Sequence, residues 1–251
     1  MNSPSAQDPA SPGTVLCVHG AGAGGWEWTI WTRVLAARGW RVSAPDLAPA
    51  AGGLASTRFE DYRSQLIAWS RDLQGGCGRP PVLVGASLGG LLALSVAAQI
   101  EAAAVVLVNP VPPAGILARP LGEPHAAIRR WGTERSIAGT RRAMPDADDA
   151  ACLYAFRRWR DESGLALEAA RLGVAVDCPH CPVLILASEL DKDVPIIVSR
   201  ELATRCSADF LKLPGCSHVG PLLGHAAAGV AEQAAEWLSA RMAHRRSASV
   251  S

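Results

Sequence analysis

Six short apolar runs, separated mostly by helical patterns, constrain this chain more than any other feature. They are Thr14–Val18, Arg41–Ala44, Pro81–Val84, Ala103–Val108, Val183–Ala187 and Asp209–Leu213. Each is bounded by Gly, Pro or Asp, and each reads as a strand buried on both faces, as in a parallel sheet. Helical patterns follow at Trp28–Arg38, Phe59–Leu73, Ser87–Ile100 and about Ala226–Met242. In the second of these, Tyr62, Leu66 and Trp69 recur at helical spacing. Strands alternating with helices imply βαβ units with right-handed crossovers.

One interval breaks the rhythm. Pro110 to His180 carries no convincing strand and opens with Pro110, Pro112 and Pro113, which discourage helix continuation. Helical patterns then lie near Pro124–Trp131, Glu134–Met144, Asp146–Trp159 and Ser163–Leu172, with Asp146 and Ser163 as N-cap candidates. This insertion predicts a helical cap over the strand ends. The expected division is a core of residues 14–110 and 181–243, a cap of 111–180, and disordered ends at 1–13 and 244–251.

Composition narrows the classes. A chain of 251 residues buries roughly three quarters of its unfolded surface and needs no disulfide framework or structural metal. Net charge is +1, so a polyanion partner such as nucleic acid is not indicated. No apolar run approaches the ~20 residues that span a bilayer, and Met1–Gly13 lacks the basic and apolar regions of a secretory signal. The seven scattered cysteines suit reduced thiols in a cytoplasmic enzyme. Cys178 and Cys181 form a CxxC around His180, but no second ligand cluster accompanies them, so a turn entering a strand is expected rather than zinc. Abundant Ala and Arg, with Lys only at 192 and 212, fit a GC-rich, bacterial coding sequence.

The strongest chemical signal is Gly85-Ala86-Ser87-Leu88-Gly89. After a buried strand and before a helix, it describes a sharp turn that lifts the Ser87 hydroxyl above the sheet. The backbone N–H of Leu88 then points at any negative oxygen formed at a reacting carbon. A serine hydroxyl needs a base to take its proton. His218, after the last strand, stands at the sheet's C-terminal end where ligands bind in such folds; His225 is the alternative. The base needs an orienting carboxylate, and the fifth strand leads to Asp191, with Asp193 and Glu189 as alternatives. A second oxyanion donor is sought in His19-Gly20-Ala21-Gly22-Ala23-Gly24-Gly25-Trp26. Gly20, Gly22 and Gly25 formally match a dinucleotide-binding GxGxxG, but the nearest acid is Asp46, preceded by Pro45, so no cofactor is expected.

Together these residues resemble the α/β-hydrolase family over about 14–240: the His19-Gly20 turn, the Pro45-Asp46-Leu47 strand end, the elbow at Ser87, the strand before Asp191 and Val194-Pro195, and His218. The resemblance implies an open, mainly parallel sheet in order 2-1-3-4-5-6, because thirteen residues before the first strand leave no room for the antiparallel N-terminal hairpin of many members. It implies Ser87 as nucleophile, His218 as base, Asp191 as its partner, and oxyanion amides at Ala21 and Leu88. The His-Gly-Ala start with Gly-Trp soon after looks like the small methyl-ester hydrolases and hydroxynitrile lyases. The lyases carry Thr at position 20 and Lys after the histidine, where this chain has Gly20 and Val219. Dehalogenases and epoxide hydrolases use Asp where Ser87 stands.

The expected activity is cofactor-independent hydrolysis of a small carboxylic ester, thioester or lactone through an acyl-enzyme. The alternatives are C–C cleavage or elimination on the same scaffold, or a small-molecule receptor with little turnover. Trp26, Trp131, Tyr154, Trp159 and Val219 are the candidates for an acyl pocket, and the arginines of the cap are expected to be a solvated face.

Overall fold

The computed structural model describes residues 12–116 and 123–248. The ends predicted to be disordered fall partly outside this range, at 1–11 and 249–251.

The sheet contains β1 (Thr14–Val18), β2 (Arg41–Ser43), β3 (Val82–Ala86), β4 (Val105–Val108), β7 (Val183–Ser188) and β8 (Asp209–Leu213), with β5 (Ile128–Arg129) and β6 (Glu162–Ser163) lying outside it. Its order is β2-β1-β3-β4-β7-β8, all parallel. This is the predicted order 2-1-3-4-5-6. β1, β3, β4 and β7 are buried along their whole length, and edge strands β2 and β8 are partly exposed. That pattern explains their near-continuous apolar sequences.

Successive side chains point to opposite faces, and the core divides accordingly. Leu16, Val18, Leu83 and Leu107 face one layer with Phe59, Tyr62 and Leu66 of α2 (Phe59–Cys77), Leu91 and Leu92 of α3 (Leu88–Ala97), and Val198 and Leu202 of α7 (Ile196–Arg205). Val15, Cys17, Val84 and Val106 face the other, with Trp31 and Leu35 of α1 (Thr29–Ala37) and Val230, Ala234 and Leu238 of α9 (Ala227–Ala248). α9 runs past Arg245, where the sequence predicts a tail. No helix of the described residues is long and apolar enough to cross a membrane.

Between β4 and β7 lie α4 (Ile137–Ala143), α5 (Asp149–Phe156) and α6 (Gly164–Leu172), with Ser163 capping α6 as expected. Pro124–Trp131 is not a helix. Its Ile128–Arg129 forms β5, antiparallel to β6 (Glu162–Ser163). Gly164 N–H donates to Ala127 O at 2.9 Å, and a Cβ there would lie 1.8 Å from Ala126 O. Close backbone pairing outweighs local helical spacing in this stretch. The α5 cap is Asp148 rather than Asp146, whose carboxylate is used elsewhere.

The cysteines also depart from expectation. Cys178 and Cys206 form a disulfide joining the approach to β7 to the end of α7, while Cys17, Cys77, Cys152, Cys181 and Cys216 are thiols. The CxxC spacing therefore does not pair with itself. The fold brings Cys206 to Cys178 because α7 returns antiparallel to β7.

Candidate active site

Ser87 sits between β3 and α3 with φ 51° and ψ −119°, a conformation that L-residues adopt only under constraint. The constraint is visible. Ser87 N–H donates to Val108 O at 3.0 Å, and Ser87 O accepts from Gly90 and Val111 N–H at 3.0 and 3.1 Å. A Cβ at Gly85 would lie 2.3 Å from Gly89 O, and one at Gly89 would lie 2.3 Å from Val18 O. The glycines at the two ends of the motif are thus required by backbone packing as well as by the turn. Leu88 N–H is the first amide of α3 and has no intrahelical acceptor.

His218 and Asp191 come together at the C-terminal ends of β8 and β7. His218 Nδ1 is 2.7 Å from Asp191 Oδ2. Asp191 Oδ1 accepts from Asp193 and Val194 N–H at 2.8 and 2.9 Å, so both carboxylate oxygens are held. The Asp191 side chain is fully buried, and that of His218 is 16% exposed. Burial pulls the His218 imidazole toward its neutral form. The hydrogen bond and charge of Asp191, with a smaller pull from Asp193, outweigh this and raise its pKa above the ordinary histidine value. Of the alternatives, Glu189 accepts from Lys212 Nζ at 2.5 Å, and His225 is placed by its N–H on Asp146 O at 3.1 Å.

Two polar anchors that sequence reasoning missed hold the His218 loop. Asn109, with φ 46°, donates from Nδ2 to His218 O at 2.8 Å and accepts from Ser188 N–H at 2.7 Å. It ties the ends of β4 and β7 to the histidine. Asp146 accepts from Ser217 N–H at 2.9 Å and from its hydroxyl. A polar residue closing a wholly apolar strand, as Asn109 closes β4, was the available signal.

The turn after β1 is held by three carboxylates from different segments. Gly20 N–H donates to Glu27 Oε1 at 2.8 Å, Gly22 N–H to Glu162 Oε2 at 3.0 Å, and Gly25 N–H to Asp46 Oδ1 at 2.7 Å. Asp46, the nearest acid to the formal GxGxxG match, is thus used within the loop. His19 is buried and accepts from Leu47 N–H through Nε2 at 2.9 Å, which leaves Nδ1–H to donate to Gly20 O at 2.8 Å. Burial chiefly lowers its pKa. Among the described residues Ala21 N–H makes no hydrogen bond. Glu27 was also missed, although an acid between Trp26 and Trp28 is unusual enough to have been flagged. Its carboxyl is buried, which pushes its pKa up to about 8 against the opposing pull of the Gly20 N–H and His218.

A cavity of about 1450 Å³ opens at this site. Ala21, Glu27, Ser87, Leu88, Asp193 and His218 are on its wall, as are Trp131, Trp159 and Val219 of the predicted pocket. Trp26 and Tyr154 lie outside the lining. Trp26 packs edge-on against Tyr154 and Trp159, and the Tyr154 hydroxyl is 3.0 Å from Thr29 Oγ1. Trp131 stacks beneath the Arg129 guanidinium.

The profile of the "Alpha/beta hydrolase family" matches residues 15–233. No curated protein matches the chain by sequence. Solved structures with the same fold include a methylesterase from Arabidopsis, at TM-score 0.67 and 15% identity over 88% of this chain and 97% of that one. A pyrethroid hydrolase from Sphingobium faniae JZ-2 superposes at TM-score 0.65 and 22% identity, over 92% and 97%. A monoacylglycerol lipase from Paleococcus ferrophilus does so at 0.66 and 19%, over 91% and 95%. With a parallel sheet in the expected order and a profile match across most of its length, the chain belongs to the alpha/beta hydrolase family.

Proposed function

We propose that this protein is a cofactor-independent serine hydrolase of small carboxylic esters, thioesters or lactones. The observation that carries the reading is the buried Asp191–His218 pair opening onto the cavity that Ser87 also lines. The named activities of the structural neighbours agree with it.

In this reading His218 Nε2 takes the Ser87 proton as Oγ attacks the carbonyl carbon. Asp191 holds Nδ1–H and stabilises the imidazolium that forms. The amides of Ala21 and Leu88 bind the oxyanion of the tetrahedral intermediate. Collapse breaks the bond to the leaving alcohol or thiol, which takes the proton from His218. Water then attacks the acyl-enzyme, giving a proton to His218, and the carboxylic acid leaves as Ser87 regains its proton. Residues 111–180 act as the cap that sets acyl specificity, with Trp131, Trp159 and Val219 on the pocket wall.

The test is p-nitrophenyl acetate turnover together with covalent labelling by a fluorophosphonate. Ser87→Ala should abolish labelling and reduce turnover by at least a thousandfold, the usual order for losing a nucleophile. Labelling and turnover unchanged in Ser87→Ala would overturn the assignment.

A further inference from the structure

Glu27 is a buried acid that the mechanism above does not use. It sits in the short 3-10 turn Gly25–Trp28, beside β1, α1 and α8 (Gly220–Leu223). Its Oε1 accepts from Gly20 N–H at 2.8 Å, and a Cβ on Gly20 would lie 3.3 Å from Ser87 Cβ and 4.0 Å from that same Oε1. Glu27 and Ser87 therefore flank Gly20 on the wall of one cavity. The next amide along, Ala21 N–H, is the one proposed to meet the oxyanion.

We propose that Glu27 is a positioning residue of this site, clamping the Gly20 amide so that the Ala21 N–H faces the oxygen that becomes the oxyanion when Ser87 attacks the carbonyl carbon. The inference rests on the serine-hydrolase reading. The groups facing Glu27 are few. β1 offers the thiol of Cys17, the loop after β8 offers His218, α8 has no titratable side chain, and Arg33 of α1 is exposed. No lysine or arginine pairs with it among the described residues. A carboxyl so buried, with one amide donor and no permanent cation, acts as a neutral acid at neutral pH. It then holds the turn without setting a negative charge beside a developing oxyanion. Once ionised it would oppose that oxyanion, so the same residue limits activity on the alkaline side.

The experiment compares wild type, Glu27→Ala and Glu27→Gln in kcat, KM and pH dependence with p-nitrophenyl acetate, alongside Ser87→Ala. Removing an oxyanion donor outright costs about a hundredfold to a thousandfold. Displacing one should cost less, so Glu27→Ala is expected to lose roughly ten- to hundredfold in kcat with KM little changed. Gln can accept the same Gly20 bond and should restore most of that loss. Wild type should lose activity as pH rises through about 8, and Glu27→Gln should lack that limb. Glu27→Ala retaining wild-type kcat would overturn the proposal, as would Glu27→Gln keeping the alkaline limb or failing to recover activity while folded. If Glu27→Ala does not fold, the Glu27→Gln profile alone decides. Full activity in Ser87→Ala would instead sink the serine-hydrolase reading, so the two failures are distinguishable.

Discussion

Gly89→Ala places one methyl group against the carbonyls that end β1. The new Cβ would stand 2.3 Å from Val18 O and 2.4 Å from His19 O, so α3 and β1 must part by about an ångström to reach ordinary contact. Neither can move freely. β1 is paired on both sides, to β2 and β3, and α3 is buried along nearly its whole length. Overpacking of this kind costs ~1–3 kcal/mol, and the rigid surroundings argue for the upper end. For a chain of this size each kcal/mol lowers Tm by about 2–4 °C, so a fall of roughly 6–12 °C is expected. Turnover should fall further, because Ser87 and the Leu88 amide ride on the displaced helix start and a misplacement near 1 Å costs about a hundredfold. Gly76→Ala is the control. It lies in α2, where a Cβ meets nothing within 4 Å, and should be neutral or stabilise by ~0.4–1 kcal/mol. Thermal unfolding and p-nitrophenyl acetate turnover measure both variants. A Gly89→Ala protein with unchanged Tm and turnover within twofold of wild type would refute the packing argument.

The remaining expectations concern the acid and the disulfide. Asp191→Asn should cost about a thousandfold or more in kcat, whereas Asp193→Asn should cost less than about tenfold, since only Asp191 bonds the imidazole; the opposite ranking would reject Asp191. His218 must be neutral to accept a proton, so activity falls on acidification through its raised pKa. Removing the Asp191 charge should move that acidic limb of kcat/KM to lower pH, and an unmoved limb would show that the carboxylate is not the cause. Reducing the Cys178–Cys206 bridge, which spans 28 residues, should lower stability by ~3.5 kcal/mol by the loop-entropy argument. Because the bridge lies away from the cavity lining, kcat should stay within twofold in the folded reduced protein. A Tm unaffected by reductant would contradict this.

Local sequence was sufficient wherever the determinant was itself local. The buried strands declare themselves because both faces of β1, β3, β4 and β7 are covered, leaving no polar alternation. The elbow declares itself because a strand must turn into a helix within a few residues, and only small side chains survive the approach of Gly85 and Gly89 to neighbouring backbone. The order of the strands is the one that the α/β-hydrolase resemblance implies, since buried-strand patterns do not state which strand lies beside which. Glu189, Asp191 and Asp193 all follow β7 closely, and only the folded loop shows which carboxylate bonds His218. Asp193 and Asp191 are two residues apart, and backbone turns that sequence does not spell out decide where each points.

The roles of the groups that support the turn after β1 come only from tertiary contact. Gly20, Gly22 and Gly25 are bonded by Glu27, Glu162 and Asp46, and the second of these lies 140 residues away. No periodicity marks such a carboxylate, because its meaning comes from the unpaired amide it meets in space. The same holds for Asp146 at Ser217, for β5 against β6 and for Cys206 at Cys178. Sequence alone determined the layered architecture and the candidate nucleophile, since chain-neighbour sterics and burial patterns govern both. Tertiary structure decided which polar groups satisfy one another across the cavity, because hydrogen-bond partners are chosen by distance in the folded chain and not by distance along it.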